Sequence, residues 1–229
     1  MTTQEFSNEF DILYNNIMSN KAPGLDEYEK SCFLTKAQEM LILSYYSGRN
    51  STGDSFEKTE EIRRYLDALV GLHIIIPLDN PPTQTDGYYH NTFDLSSSVP
   101  KLWFITYESV ITKDPNIPCY NKQGKELMVV PTTQDNLYRT LRNPFKCPNN
   151  KRVLRLDTGK NTVEIISKYT IDSYEVHYIR QPEPIILTDL SNGLTINGKS
   201  KESSCELNPA IHRIILDAAV KLAAASYKE

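Results

Sequence analysis

Apolar residues recur every three or four positions at both ends of this chain and every second position between them. That change of period limits the fold more than any other feature. Near the start, Phe6, Phe10, Leu13 and Ile17 share a helical face behind Thr2-x-x-Glu5, a pattern in which hydroxyl and carboxylate cap each other's backbone N–H groups. Pro23-Gly24 closes that helix. Asp26-x-x-Glu29 opens a second, with Phe33, Leu34, Ala37, Met40 or Leu41, and Tyr45 on one face. Asp54-x-x-Glu57 opens a third, with Ile62, Leu66, Leu69 and His73 as its stripe and Gly71 as its stop. At the far end Asn208 suits an N-cap and Pro209 the first helical turn, before a stripe of Ile211, Ile215, Ala218, Leu222 and Ala225.

Between these ends the chain reads as β structure. Residues 102–107, 110–112, 127–130, 153–156, 162–167, 174–180 and 185–187 are strand material, with turns at Asp157-Thr158-Gly159-Lys160 and Asn192-Gly193. Residues 132–142 read as one short helix, with Leu137 and Leu141 pointing inward. Residues 77–98 hold Pro77, Pro81, Pro82, Gly87 and many small polar residues. They are expected to form a long loop outside the core, an exposed arm onto a neighbouring copy. The expected fold class is α+β: a helical domain of residues 1–76 plus 207–229, with an antiparallel β-rich domain of residues 77–206 inserted, including the long loop 77–98.

Chemistry is harder to find. Four histidines, His73, His90, His177 and His212, sit at no metal-ligand spacing with a cysteine or carboxylate, and no phosphate-cradling glycine loop is present. Catalytic, cofactor and metal sites are therefore expected to be absent. The cysteines at 32, 119, 147 and 205 are far apart, which suits reduced thiols in a cytosolic setting. No apolar run approaches membrane-spanning length, and the acidic start, with Glu5, Glu9 and Asp11, does not read as a signal peptide.

Charge is unevenly placed. The whole chain carries −4, which argues against a global basic field for nucleic acid. Residues 1–75 carry a net −5, and the remainder a net +1. Within the second part, Arg139, Arg142, Lys146, Lys151, Arg152 and Arg155 occur with no acidic residue from 139 to 155. These six are the candidate subunit-contact residues. The same cluster admits two other readings: a solvated basic loop, or a nucleic-acid-binding module. Acidic and basic halves suit head-to-tail packing of unlike faces, and 14 Tyr against 7 Phe supply either contact material or strand residues.

Four stretches carry a resemblance. They are Leu25-Asp-Glu-Tyr-Glu-Lys-Ser-Cys-Phe-Leu-Thr-Lys-Ala-Gln-Glu39; Leu141-Arg-Asn-Pro-Phe145 with Val153-Leu-Arg-Leu156; Tyr178-Ile-Arg-Gln-Pro-Glu-Pro-Ile185; and Cys205-Glu-Leu-Asn-Pro-Ala-Ile-His-Arg-Ile-Ile-Leu216. In this order they resemble virion structural proteins of crAss-like and related tailed phages. The resemblance implies a ring subunit of the head-to-tail connector or tail barrel, similar to the adaptors below a portal, and by that likeness a dodecamer. It implies partners, namely copies of the same chain, neighbouring portal or tail ring proteins and DNA in transit, with no membrane. It brings no catalytic residues and no cofactor. It implies a place in the neck or tail of the virion after assembly in the host cytoplasm.

Overall fold

The computed structural model describes residues 1–18, 23–49, 53, 55–78, 81–98, 101–113, 124–159, 161–191 and 193–227. They divide into two compact units: residues 1–69 with 181–229, and residues 70–180.

In the first unit, α1 (Thr3–Met18) and α2 (Glu27–Ser47) start at the two capping boxes expected for them. Thr2 Oγ1 accepts from Glu5 N, and Thr2 N donates to Glu5 Oε2 at 2.8 Å; Asp26 and Glu29 exchange the equivalent pair. The third box falls on Asp54, outside the described residues. Lys30 of α2 is almost fully buried and bonds Asp11 at 2.7 Å, Glu27 at 3.0 Å and Ser7 Oγ at 3.2 Å, which satisfies its charge. One face of α2 carries the buried polar residues Ser31, Thr35 and Gln38 at spacings of four and three. They bind an extended segment edge-on. Ser31 Oγ accepts from Leu187 N, Thr35 Oγ1 accepts from Ile185 N and donates to Ile185 O, and Gln38 Nε2 donates to Glu183 O. Residues 185–187, expected as a strand, are this segment. They make an isolated bridge between Ile186 and Ser203, because α2 side chains already serve much of their backbone.

α6 (His212–Tyr227) packs on α1 and α2 behind a short 3-10 turn, Pro209–Ile211, capped by Asn208 as expected. Its buried face is Ile211, Ile215, Leu216, Ala219, Val220 and Ala223. The expected stripe was rotated, since Ala225 is exposed and Leu222 half-buried. His212 is buried beside Phe6; its Nε2 donates to Leu207 O at 2.8 Å, and Nδ1 lies 2.8 Å from the Met1 amine. Burial pushes its pKa down, the Leu207 carbonyl opposes this, and the N-terminal ammonium adds to it. Below about pH 6.5 the unfolded chain takes up a proton that folded His212 resists, so stability is lost as pH falls through that value. Thermal melts between about pH 7.5 and about pH 5.5 should show this loss, and His212→Gln should reduce it. An identical pH dependence in the variant would contradict the assignment.

The third helix ends early. α3 (Glu60–Tyr65) and a 3-10 turn, Asp67–Leu69, give way to a strand where the sequence stripe continued to His73. Val70 and Ile74-Ile75-Ile76 are β-branched and favour the extended chain.

The second unit is one eight-stranded sheet with short helices. Its strands are β1 (Val70–Ile75), β2 (Thr83–Thr85), β3 (Tyr88–Asp94), β4 (Leu102–Thr112), β5 (Lys125–Thr132), β6 (Arg152–Gly159), β7 (Thr162–Ser167) and β8 (Ile171–Arg180). α4 (Leu95–Ser98) follows β3, and α5 (Gln134–Arg142) joins β5 to β6. The order is β1-β8-β4-β5-β6-β7-β3-β2. The sheet is mixed, not wholly antiparallel: β5 and β6 run parallel. Parallel neighbours need a crossover, and the connection carrying α5 supplies it. The chain is α+β. Leu137 and Leu141 of α5 are half-buried, and no residue of that helix is fully so.

Residues 77–98 depart most from expectation. β3 lies inside the sheet, paired to β2 on one side and β7 on the other, and Phe93 and Leu95 belong to the core. Most of its polar residues are tolerated because alternate positions face away from the core, while Asn91 is buried on the side of Phe93. On the outward side His90 Nδ1 meets Glu164 Oε1 of β7 at 2.6 Å. Asp86 and Gly87 both adopt positive φ and turn the chain from β2 into β3, the geometry of a two-residue hairpin. Phe93, Val110, Leu127, Val153, Ile165 and Val176 fill the core beside Tyr174.

Gly71 is set by close approach. A Cβ there would lie 2.7 Å from Cζ and 2.8 Å from Oη of Tyr178, its partner across β1 and β8. Tyr178 is held in the core and has little room to move. Gly71→Ala should cost about 1–3 kcal/mol by overpacking, read as a lower thermal midpoint. An unchanged midpoint would show that the ring yields.

Candidate subunit-contact surface

The six basic residues of the acid-free stretch part company in the structure. Arg139 and Arg142 lie in the last turn of α5, where cations meet the negative end of the helix dipole. Lys146 and Lys151 are exposed in the connection to β6. Arg152 is half-buried, and its Nε donates to Cys147 O at 3.2 Å.

Arg155 is not on this surface. Its side chain is 12% exposed, and Nη1 bonds both oxygens of Glu108 at 2.9 Å. Nε approaches Asp157 Oδ1 at 3.2 Å without the alignment of a hydrogen bond. Tyr174 donates its hydroxyl to the same Glu108. Burial works against the guanidinium charge, but Glu108, Tyr174 and Asp157 outweigh it and hold Arg155 ionised. Burial, then the Glu108 charge, pushes the Tyr174 phenol far up. Arg155 therefore completes a buried ion pair within the sheet.

The remaining basic residues flank two aromatics that the charge pattern alone does not single out. Tyr138 is 65% exposed and Phe145 85% exposed. The Arg142 guanidinium lies 4.3 Å above the Tyr138 ring, a cation–π contact that stiffens both side chains. Asn143 fixes the turn after the helix: its Oδ1 accepts from Phe145 N at 2.9 Å, and its carbonyl accepts from Lys146 N and Cys147 N. Beside this projection runs a groove of about 600 Å³ lined by Thr132, Thr133, Asn136, Arg139, Asn143 and Lys146. Its one acidic lining residue is Asp157. Exposed Tyr and Phe beside Arg on a short rigid helix have the composition of a protein–protein contact. The sequence signal for them was two aromatics, Tyr138 and Phe145, seven residues apart within the basic stretch.

Among the described residues no group of three or more His, Cys, Asp and Glu side chains is placed to hold a metal ion. Cys32, Cys147 and Cys205 are free thiols, and burial pushes Cys205 up to about 11; Cys119 lies outside the described residues. No described helix is long and apolar enough to cross a membrane.

The chain belongs to the phage tail ring protein 3/4 family, whose sequence profile matches residues 1–229. It is 50% identical over 226 residues to Ring protein 3 of Bacteroides phage crAss001, covering 97% of this chain and 95% of that protein. It is 39% identical to Ring protein 4/5 of the same phage, over 100% of this chain and 94% of that one. The resemblance carried by the four sequence runs is thus borne out: this is a virion ring protein of the crAss-like phage type, a structural ring subunit of a tailed phage.

Proposed function

We propose that the chain closes into a cyclic ring in the head-to-tail connector or tail barrel and encloses a channel for DNA, with no catalytic step of its own. The observation that carries this reading is identity of 50% along nearly the whole chain to a protein named as a ring protein. A dodecamer, with portal or further tail ring proteins as neighbours, follows from the likeness to adaptors. Such a subunit assembles in the host cytoplasm and ends in the neck or tail.

Closure of a ring from identical chains needs two unlike faces on each. The projection of Tyr138, Arg139, Arg142, Phe145 and Lys146 supplies one of them. Lys151 lies at its border, and Arg152 contributes through the turn it braces. The two compact units act as domains: a helical one from both chain ends, interrupted by a β-rich one, with limits at 69/70 and 180/181. That division moves residues 70–76 into the sheet domain and residues 181–206 into the helical one. The alternative of a nucleic-acid-binding module loses weight because Arg155 is committed to Glu108.

Quantitative mass spectrometry of purified particles tests the reading. Labelled-peptide standards should give several copies of this chain for every copy of a neighbouring ring's subunit set, in a fixed ratio. Absence from particles would overturn the proposal.

A further inference from the structure

A second feature of the sheet unit matches the α5 projection in chemistry. Residues ahead of β2 line, with Asn91 of β3, Lys113 and residues 170–172, a pocket of about 350 Å³. Its apolar walls are Ile76, Pro77, Pro81, Pro82 and Ile171. Asn91 of β3 lines it and is 1% exposed, and its Nδ2 has no hydrogen-bond partner. Buried amide donors without partners are rare, because each forfeits its solvation. At the rim, Asp172 holds Lys113 through Oδ1 at 2.7 Å and is itself 46% exposed.

The occupant therefore needs a flat apolar body to lie against proline rings, a hydrogen-bond acceptor at its tip, and a cation to follow it to the rim. Tyrosine has the first two: an apolar ring and a hydroxyl that accepts as well as donates. Tyr138 meets the third, because Arg142 already lies over its ring. We propose that Tyr138 of a second copy of this chain inserts into the pocket, its hydroxyl accepting from Asn91 Nδ2 and its Arg142 reaching the second carboxylate oxygen of Asp172. The contact is heterologous, since knob and pocket are different parts of the same sheet unit. It thus propagates from copy to copy and closes only as a ring or runs on as a filament. This inference rests on the reading of the α5 surface as a subunit contact, and it names the receiving face.

The test is site-specific crosslinking in the full chain. A photoreactive phenylalanine analogue replaces Tyr138, keeping an aromatic body, and is irradiated in assembled particles and in concentrated purified protein. The same analogue at exposed Tyr107 serves as control. The expected product is a dimer joined from position 138 of one copy to Ile76, Pro77, Pro81, Pro82 or Asn91 of another, reduced at least about tenfold by Pro82→Glu and absent from the position-107 control. Crosslinks from 138 to other segments, or none in either sample, overturn the knob-and-pocket contact. Those outcomes leave the ring reading standing if particle images still show a ring of this chain; a particle without such a ring overturns the broader reading instead.

Discussion

Arg155→Ala should destabilise the sheet unit by about 3–5 kcal/mol, a loss large enough to leave much of the protein unfolded at modest temperature. The reason is the Glu108 carboxylate. It is 8% exposed, it bonds Arg155 through both oxygens, and the substitution leaves it buried with only the Tyr174 hydroxyl. The cost is the penalty of a stranded charge and exceeds the net worth of the pair. The triple variant Arg155→Met, Glu108→Leu and Tyr174→Phe should accordingly recover most of the stability, because packed apolar groups replace the buried ion pair and no phenol hydroxyl is left without its acceptor. Thermal and urea denaturation of the three proteins decides this. An Arg155→Ala protein as stable as the parent would mean that water reaches Glu108 freely.

Charge reversal on the α5 projection should have the opposite profile. Arg139, Arg142 and Lys146 are all exposed, so changing them together to Glu should lower the thermal midpoint only slightly, by the lost helix-dipole and cation–π contacts of Arg139 and Arg142. Incorporation into particles should fall more than about tenfold, because the change reverses the charge of the contact and removes the cation over Tyr138. Full incorporation of the triple variant would remove this surface from the ring contact. A large drop in the midpoint would show that these side chains serve the fold.

Arg155 and Arg139 looked alike in the sequence because both sit in the same acid-free stretch. What separates them is a partner 47 residues away, Glu108, which only the pairing of β4, β5 and β6 brings within reach. Local signals were more legible. Thr2 with Glu5, Asp26 with Glu29, and Asn208 with Pro209 each set a helix start, because capping is decided by neighbours within three residues of one another. Buried faces were less so: Ser31, Thr35 and Gln38 look like solvent-facing polar residues until the backbone of residues 183–187 is laid against them. That contact joins the runs 25–39 and 178–185 of this chain. They are two sides of one hydrogen-bonded contact.

β1 and β3 were hidden for different reasons. In β1 the helical spacing of Ile62, Leu66 and Leu69 ran on by chance to His73, and the β-branched run after it was the better guide. In β3, polar residues suggested a loop, although Asp86-Gly87 ahead of an alternating stretch is a strong hairpin signal. The prolines at 77, 81 and 82 did mark chain outside the sheet ladder, and they wall the pocket instead.

High-resolution electron cryomicroscopy of the neck and tail, reconstructed around the particle axis, tests the central claim most directly. The account predicts a closed ring of this chain around a central channel, with α5 of each copy at a boundary between subunits. A particle in which this chain forms no ring, or a ring whose α5 helices face solvent away from every neighbour, would contradict it.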